Sequence, residues 1–294
     1  MSVPPTTASV APNLFASRRR QLLTRRRSTT LSIISTVVVV AVVAAVVFWA
    51  PGGVTFRHFF FDPHQMWVAF TGNHQGLASV GKGILTNIWM FCLCEVLVLI
   101  LALGLAWVRI STSPVMAPLR VLATIYTDVF RGIPILLVFI IVGFGFSELN
   151  IGWLSHQTPA FYGCTAITIT YTAYVAEVYR AGLNSVPQGQ ILAARSLGLG
   201  QAATMRRVIL PQAVRTVIPP LLNDFISMQK DTALVSILGI VEAVQSAQID
   251  ASQNFNDSGL VVAALLFLAM TIPLTRLTDH LIAKDRTRRL AGAL

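Results

Sequence analysis

The chain has 294 residues, of which 54% are hydrophobic and only 12% are charged. A soluble domain carries about 25% charged residues, so this sequence has too few to cover a water-facing surface. Intrinsic disorder is excluded too, because disordered chains are poor in apolar residues and rich in charge. The composition predicts an all-α membrane protein that crosses the bilayer several times.

The formal net charge of +10 does not indicate nucleic-acid binding, because the basic residues lie at the ends of apolar runs. Arginines at 18–20 and 25–27 precede the first run, and basic residues at 284–289 follow the last. This distribution is typical of residues that orient a membrane protein. Base-reading motifs are lacking, so we expect lipid and no nucleic acid as a partner.

Six apolar runs are long enough to cross a bilayer, which takes about 20 residues per helix. The second run contains the acid Glu95, and the third is interrupted by Arg131, Gly132 and Pro134. The predicted spans are residues 31–50, 84–108, 118–146, 160–179, 214–241 and 260–282.

The positions of the basic residues predict the orientation of these spans. With the N-terminus inside, eighteen Lys and Arg residues fall in cytoplasmic segments or helix ends, and only Arg57 and Lys82 fall outside. The positive-inside rule therefore places both termini in the cytoplasm. Residues 18–50 could instead form a signal peptide, but its apolar region is typically about 7 to 15 residues. We favour a retained helix.

The longest cytoplasmic loop between spans, residues 180–212, contains the signals of a short helix. Ser185 and Gln188 have the spacing of a capping box, and glycines at 198 and 200 favour a helix end. Ala193 and Leu197 share one face of this helix, with Ala194 beside them. Such a helix can fit closely into a groove of another protein, and a loop without a partner is the alternative.

This loop resembles the EAA loop of ATP-binding-cassette importer permeases. The matching residues are the alanine pair at 193–194, then Gly198 after three intervening residues, and the Val-Ile-Leu-Pro stretch at 208–211. The resemblance implies a five-helix permease core, so the helix at 31–50 is an extra one. That helix is either a simple anchor or a contact for pairing with a second subunit.

Three further stretches resemble the narrower family of polar amino acid permeases, which serve histidine, arginine, glutamine and glutamate. They are FRGIP at 130–134, AYVAEVYRAG at 173–182, and the fifth-helix signature beginning NDFIS at 223–227 and continuing to residue 234. The resemblance covers about residues 80–285, and the combination of motifs is specific. The chain is identified as a member of this family.

The resemblance implies four kinds of partner or setting. They are two cytosolic ATPases, a second permease subunit that is a paralogue or the same chain, an extracytoplasmic solute-binding protein, and the bacterial cytoplasmic membrane. No enzyme activity, cofactor or metal is expected in this chain, because ATP and Mg²⁺ would be bound by the partner ATPase. The GxxxxGK match at residues 76–82 lacks the following Ser or Thr, so it does not indicate a phosphate-binding loop.

The predicted organisation follows from these assignments. It comprises a basic cytoplasmic tail at residues 1–30, the extra helix at 31–50, an extracytoplasmic segment at 51–80, the permease domain at 81–285 with its coupling loop at 181–213, and a cytoplasmic tail at 286–294.

The family resemblance implies that the loop contacts the ATPase. Leu192 stands where the family usually has glutamate, so contact would depend on Ala193, Ala194, Arg195 and Leu197 rather than on that acid. The predicted coupling residues are Gln190, Leu192, Ala193, Ala194, Arg195, Leu197, Gly198 and Pro211.

Charged residues inside membrane spans are candidates for function, because they are costly unless they are paired or hydrated. Asn223, Ser227 and Lys230 follow i, i+4, i+7 and form one polar stripe facing either a water-filled path or a partner subunit. Lys230 either binds the carboxylate of a passing amino acid or pairs with Asp128, Asp224 or Glu95. The candidate path or gate residues are Arg131, Gly132, Pro134, Asn223, Ser227 and Lys230.

Other intramembrane charges have no assigned role at this stage. Glu95 is either protonated or paired, and Glu177 with Arg180 forms either a helix-end pair or a coupling element. Arg131 either lines the path or locks its helix. The charges without an assignment are Glu95, Asp128, Asp224 and Asp231.

The sequence therefore predicts the permease subunit of an ATP-driven, binding-protein-dependent importer of a polar amino acid, working by alternating access. Arg131 and Lys230 weakly favour an acidic or amide substrate such as glutamate or glutamine. The alternatives are an ion-coupled secondary transporter, which predicts inverted repeats that are not evident here, and a permease for another small solute such as a dipeptide or an opine.

Overall fold

The computed structural model describes residues 33–42, 44–46, 49–72 and 79–291, with side chains described up to residue 283. The predicted N-terminal tail at 1–30 and the side chains of the predicted C-terminal tail at 286–294 lie outside the described residues. The chain separates into two units at the bond between His58 and Phe59. In the first unit, residues 33–42 and 44–46 are helical.

Regular secondary structure is helical throughout the described residues. The α-helices are α1 Gly53–Phe60, α2 Pro63–Thr71, α3 Val80–Ile110, α4 Ala117–Gly132, α5 Ile135–Glu148, α6 Pro159–Asn184, α7 Gln188–Ser196, α8 Gln201–Thr204, α9 Leu210–Asp231, α10 Ala243–Asn254 and α11 Ser258–Ala291. A π-helical turn, Met205–Ile209, joins α8 to α9, and a 3₁₀ segment, Thr232–Leu238, follows α9.

Helix α6 forms the centre of the second unit, because α3, α4, α5 and α9 all pack against it. Its small residues Gly163, Ala166 and Ala176 are buried and allow neighbouring helices to approach closely. The main apolar cluster joins α6 to large side chains of the surrounding helices, including Met90 and Phe139.

A second apolar cluster joins α2, the start of α3, α10 and α11. Asn87 of α3 connects it to the end of α9: its Nδ2 donates to Thr232 Oγ1 at 3.2 Å, and its Oδ1 accepts from the Ala243 amide at 3.2 Å. Glu242 is fully buried and caps α10 by accepting from the amides of Val244 and Gln245. These bonds satisfy polar groups that would otherwise be costly to bury.

Among the described residues, two helices are long and apolar enough to cross a membrane, Val80–Ile110 and Ser258–Ala283. They cover the second and sixth predicted spans. Two bent helix pairs raise the number to four if each pair is one span. The six-span count and the orientation therefore stay predictions.

The third predicted span is broken where the sequence indicates. Helix α4 ends at Gly132, α5 begins at Ile135, and the two axes differ by 109°. Ile133 has an extended backbone, as expected for a residue that precedes proline, and Pro134 has no amide hydrogen to continue the helix. The predicted interruption of the run at residues 118–146 is therefore present, as two half-helices at a sharp angle.

Helix α6 covers the fourth predicted span but is not apolar enough to be counted as one. The reason is that its sequence includes polar residues such as Thr168, Thr170 and Tyr171. These residues are buried among other helices rather than facing outward. Polar residues in membrane helices generally face the interior of a bundle. The fifth predicted span corresponds to α9 and its 3₁₀ extension, which meet α10 at a 49° bend.

We predict that Gly83→Ala destabilises the protein. A Cβ atom at Gly83 would lie 2.6 Å from the Ala243 amide nitrogen and 2.6 Å from the Glu242 carbonyl carbon, so α3 and α10 would have to separate. The measurement is the midpoint of thermal unfolding of the detergent-purified complex.

Gly104→Ala is the matched control, since Gly104 lies in the same helix and a Cβ there meets nothing within 4 Å. Alanine in an open helical position stabilises by about 0.5 to 1 kcal/mol relative to glycine. Equal midpoints for the two variants would contradict the close approach of α3 and α10.

Candidate functional site

The predicted loop helix is present as α7, Gln188–Ser196. It ends where the sequence indicates, because Gly198 adopts the left-handed conformation with φ +83°. The Leu199 amide donates to the Ala194 carbonyl at 3.1 Å, the bond that commonly closes a helix ending in a left-handed glycine. The prediction of a short helix with a glycine stop is confirmed.

The predicted capping box at the start of this helix is wrong. Ser185 Oγ donates to the Gly182 carbonyl at 2.7 Å, and Pro187 occupies the position before α7 without a side-chain cap. Helix α6 extends to Asn184, further than predicted, so the Ser185 hydroxyl is held by the last turn of α6.

The outward face of α7 is defined by Leu192, Ala193, Arg195 and Leu197, which we call the loop surface. Leu192 is 60% exposed and Leu197 is 83% exposed. Ala194, predicted to belong to this contact, is only 5% exposed and faces its own chain. The loop surface is therefore apolar at two leucines and carries one basic residue.

The loop is connected to α6 and α9 on either side. Gln212 Nε2 donates to Gln190 Oε1 at 2.6 Å, which joins the start of α9 to α7. Pro211 lies in the first turn of α9. At Gly182 the helices α6 and α9 are so close that a Cβ would lie 2.1 Å from Val217 Cγ2. A displacement of α7 would therefore reach both helices.

Glu177 is the centre of an ion-pair cluster at this end of α6. Its Oε2 accepts from Arg109 Nη1 at 2.6 Å and from Arg180 Nε at 3.0 Å, and its Oε1 pairs with Arg180 Nη2. Arg109 is at the end of α3, so the cluster ties α3 to α6. The helix-end pairing of Glu177 and Arg180 is present, with Arg109 as a third member that the sequence did not suggest.

A cavity of about 460 Å³, lined by charged and by apolar residues, lies where the break between α4 and α5 faces α6 and α9. Breaks of this kind often frame the translocation site in transporters, because the freed backbone groups need a polar surrounding. The cavity, which we call the break cavity, is lined by Arg131, Gly132, Ile133, Pro134, Ile135, Thr170, Tyr171, Tyr174, Asp224, Ser227 and Asp231.

The charged groups of the break cavity differ in how they are held. The Arg131 guanidinium lies 5.8 Å from the centre of the Tyr174 ring, in cation–π contact. The Tyr171 hydroxyl donates to Asp231 Oδ2 at 2.7 Å. Asp224 Oδ2 is buried, and no donor among the described residues reaches it. Counting only the residues that the structure describes, the cavity lining holds one cation, one hydrogen-bonded carboxylate and one carboxylate oxygen without a hydrogen-bond partner.

Two smaller cavities follow the break cavity toward the loop. The second, of about 320 Å³, shares Arg131, Tyr174 and Asp224 with it. The third, of about 240 Å³, shares Thr216 with the second and reaches Ser185. The three together form a series from the helix break to the loop.

The structure places four of the six predicted path residues around the break cavity, namely Arg131, Gly132, Pro134 and Ser227. Asn223 and Lys230 are exposed and lie outside its lining.

The face of α9 that meets the cavity carries Asp224, Ser227 and Asp231, spaced i, i+3, i+7. The expected stripe of Asn223, Ser227 and Lys230 fits a helical period equally well, so spacing alone could not separate the two sets.

The remaining intramembrane charges lie away from the cavity. Glu95 is half-buried on α3, and Asp128 is exposed on α4. In the described part of the chain, no ion pair within 4.0 Å joins Lys230 to Asp128, Asp224 or Glu95. Nor do the described residues contain a group of three or more His, Cys, Asp or Glu side chains that could hold a metal ion.

Sequence reasoning missed the tyrosines of the break cavity. Tyr171 and Tyr174 are spaced i, i+3 on α6, and Tyr174 lies within the AYVAEVYRAG stretch. Their spacing next to buried threonines could have indicated a polar face. Asn87 was missed as well, although a single asparagine in an apolar run is itself a signal of a buried polar contact.

Comparison with known proteins assigns the family. Residues 115–286 match the model of the binding-protein-dependent transport system inner membrane component. This match covers more than half of the chain, from just before α4 to near the end of α11. The chain belongs to this family of inner membrane transport components.

Individual relatives agree with this assignment. The arginine transport system permease protein ArtQ of Bacillus subtilis is 31% identical over 196 residues, covering 66% of this chain and 86% of the relative. The probable glutamine ABC transporter permease protein GlnP of the same organism is 31% identical over 211 residues, covering 70% and 93%. A crystal structure of an amino acid ABC transporter with histidines matches with a TM-score of 0.64 at 29% identity, covering 70% and 93%.

We predict that Glu177→Gln lowers the stability of the protein by about 2 kcal/mol, since it removes a charged acceptor from two arginines. Arg109 is almost buried, so its guanidinium would lose its partner without gaining full access to water. A change of this size corresponds to a fall of about 5 °C in the unfolding midpoint of a domain of this size.

Glu148→Gln serves as the comparison, because Glu148 is an exposed acid at the end of α5. The two variants should differ clearly in a thermal scan of the purified protein. Indistinguishable midpoints would show that the cluster around Glu177 contributes nothing to stability.

Proposed function

We propose that this chain is the permease subunit of an ATP-driven importer that receives a polar amino acid from an extracytoplasmic binding protein. The observation that carries the proposal is the loop helix α7, which stops at Gly198 and presents exposed leucines. Family membership and the amino acid permeases among the relatives support it. The substrate passes through the bundle, and a partner ATPase supplies the energy.

The proposed topology is six spans with both termini in the cytoplasm of a bacterial cell. The distribution of basic residues supports this orientation, because eighteen of them lie on the cytoplasmic side and two on the outer side. Helix α7 then faces the cytoplasm, where ATPases are located. The helix at residues 31–50 is the extra span that precedes the permease core.

The partner ATPase binds the loop surface. Leu192 and Leu197 enter a groove of the ATPase, and Arg195 at the rim adds an electrostatic contact. Exposed apolar side chains on a short, ordered helix are typical of a contact site. Two ATPases serve two permease halves, and ATP with Mg²⁺ is bound by those partners rather than by this chain.

The substrate path runs through the break cavity. Arg131 lies beside Gly132 and Pro134 at the junction of two half-helices, so a change in the angle between α4 and α5 would move its guanidinium. Asn223 and Lys230, which are exposed on α9 outside this cavity, contact the second permease subunit. That subunit is a paralogue or a second copy.

We predict that Leu197→Arg reduces co-purification of the ATPase at least tenfold. Burying a leucine contributes about 1.5 to 3 kcal/mol, and an arginine in an apolar groove adds a penalty. The measurement is a pull-down from detergent with a tag on this chain. Ala194→Arg would be a poor probe, because Ala194 is buried and its replacement would disturb the loop itself.

Leu149→Arg is the control, as Leu149 is an exposed leucine that the proposed topology places on the outer side. Retention of the ATPase by Leu197→Arg, or its loss from both variants, would contradict the assignment of the loop surface.

We further predict opposite results for two basic residues. Arg131→Met should reduce ATP-driven uptake at least tenfold in a normally assembled complex, because it removes the only cation that lines the break cavity among the described residues. Lys230→Met should leave uptake within twofold of wild type whenever the second subunit is still bound. The readout is uptake of labelled amino acids by proteoliposomes, with subunit stoichiometry measured in the same preparation.

The opposite pattern, with uptake lost in Lys230→Met and kept in Arg131→Met, would indicate that the substrate path runs along the other face of α9. Solute movement by the protein alone, driven by an ion gradient without any ATPase, would instead establish a secondary transporter.

A further inference from the structure

The cytoplasmic loop and the helix ends beside it are basic and contain no acidic residue. From residue 178 to residue 223 the sequence has five arginines and no Asp, Glu or Lys. Three of these arginines, Arg195, Arg206 and Arg207, are exposed, and we call them the basic rim. Among the described residues, no ion pair within 4.0 Å involves any of the three. The basic rim therefore presents positive charge to whatever binds the loop.

The basic rim and the loop surface belong to one packed segment. Helices α7 and α8 and the π-helical turn, which carries Arg206 and Arg207, pack against one another. Two hydrogen bonds join the end of α7 to α8: the Leu199 amide donates to the Ala194 carbonyl at 3.1 Å, and Thr204 Oγ1 donates to the Leu199 carbonyl at 3.3 Å. A protein that binds this loop therefore meets a segment whose backbone holds leucines and arginines in a fixed arrangement.

The arrangement of side chains on α7 favours a protein groove over a lipid surface. Leu192 and Arg195 are spaced i, i+3, so they share one face of the helix. A helix that lies on a membrane has its basic residues on the face opposite the apolar one. An apolar side chain and a cation on the same face instead fit a groove with an apolar floor and a charged rim, which is the usual anatomy of a protein interface.

We infer that the ATPase groove that receives α7 has an acidic rim, whose Asp or Glu side chains pair with Arg195, Arg206 and Arg207. This inference rests on the proposed function and adds the chemistry of the partner to it. Leu192 and Leu197 contact the floor of the groove, and the basic rim contacts the carboxylates around it. Complementary charges at an interface speed association and exclude wrong partners. The acid-free loop thus selects an ATPase with the opposite charge.

The first test measures how the affinity of the ATPase for this chain depends on salt. The probe is the ATPase that co-purifies with the wild-type chain, identified by mass spectrometry, purified by itself and then rebound to the permease in detergent. Raising the salt concentration from about 0.1 M to about 1 M shortens the Debye length from about 10 Å to about 3 Å. We expect the affinity to fall at least tenfold, whereas a purely apolar contact would not weaken.

Charge reversal tests the individual cations. Arg195→Glu should lower the affinity about tenfold at low salt, because it places a carboxylate next to carboxylates, and Arg195→Gln should lower it about threefold. Reversal of both Arg206 and Arg207 to Glu should act in the same direction. These losses should shrink at high salt, which a folding defect would not do. Arg276→Glu is the control, since Arg276 is an exposed arginine of α11 outside the loop, and it should leave the affinity unchanged.

A zero-length cross-link tests for the carboxylates directly. Arg195→Lys keeps the charge and should keep most of the affinity, and a carbodiimide can join its amine to a carboxylate in contact with it. We expect an amide cross-link from residue 195 to the ATPase, and mass spectrometry then identifies the acidic residue. Arg206→Lys and Arg207→Lys are treated in the same way. Arg276→Lys should give no cross-link to the ATPase.

The outcomes separate the acidic rim from the proposed function. Binding that is insensitive to salt and to the three reversals, or the absence of a cross-link from all three introduced lysines of the basic rim, overturns the acidic rim. An effect of the reversals that appears only in bilayers containing phosphatidylglycerol, and not in detergent without anionic lipid, overturns it as well, since the arginines would then bind lipid headgroups. In these cases, loss of the ATPase from Leu197→Arg would leave the proposed function standing. A wild-type chain that binds no ATPase and supports no ATP-driven uptake would overturn the proposed function itself.

Discussion

The structure depends on one constraint, which is that α6 is enclosed by other helices rather than by lipid. An enclosed helix can carry polar side chains at membrane depth, because its neighbours supply partners for them. Helix α6 uses this freedom on one face for Tyr171 and Tyr174, which line the break cavity and donate to Asp231 and to the Arg131 carbonyl. On another face, Gly163 allows close approach, since a Cβ there would lie 3.2 Å from Val235 Cγ1 and 3.3 Å from Met90 Cε of α3.

The break between α4 and α5 is the second element that the cavity requires. A continuous helix would satisfy its own backbone and present only side chains to α6, whereas a break at Ile133 and Pro134 leaves backbone groups exposed to the cavity. The Tyr174 hydroxyl donates to the carbonyl of Arg131, so α6 satisfies one of these groups directly. The same tyrosine holds the Arg131 guanidinium through its ring, which fixes the residue at both its backbone and its side chain.

The helix break and the helix stop were predictable from the sequence, whereas the capping box and the rotation of each helix about its axis were not. The break at Gly132 and Pro134 and the stop at Gly198 follow from backbone chemistry that these residues impose wherever they occur. The choice between Asp224 and Asn223 as the residue facing the cavity depends on how α9 is rotated against α6, which a helical period cannot determine. The inward position of Ala194 is likewise set by packing, since Ala193 and Ala194 are the same residue type and differ only in position.

Residues that line two cavities at once show how, in the proposed mechanism, a movement caused by ATP binding is passed to the substrate site. Arg131, Tyr174 and Asp224 line both the break cavity and the adjoining cavity of about 320 Å³, so they stand between the two. Asp224 belongs to α9, whose first turn is bonded to the loop helix through Gln212. A movement of the loop surface with the ATPase would thus displace α9 relative to the α4–α5 break and alter the passage between the cavities.

Such coupling drives transport only if ATP stabilises one arrangement of the helices more than the other, because a ligand shifts a conformational equilibrium only through its differential affinity. The close approach of α6 and α9 at Gly182 favours this route, because in the proposed mechanism a movement of the loop would act on both helices.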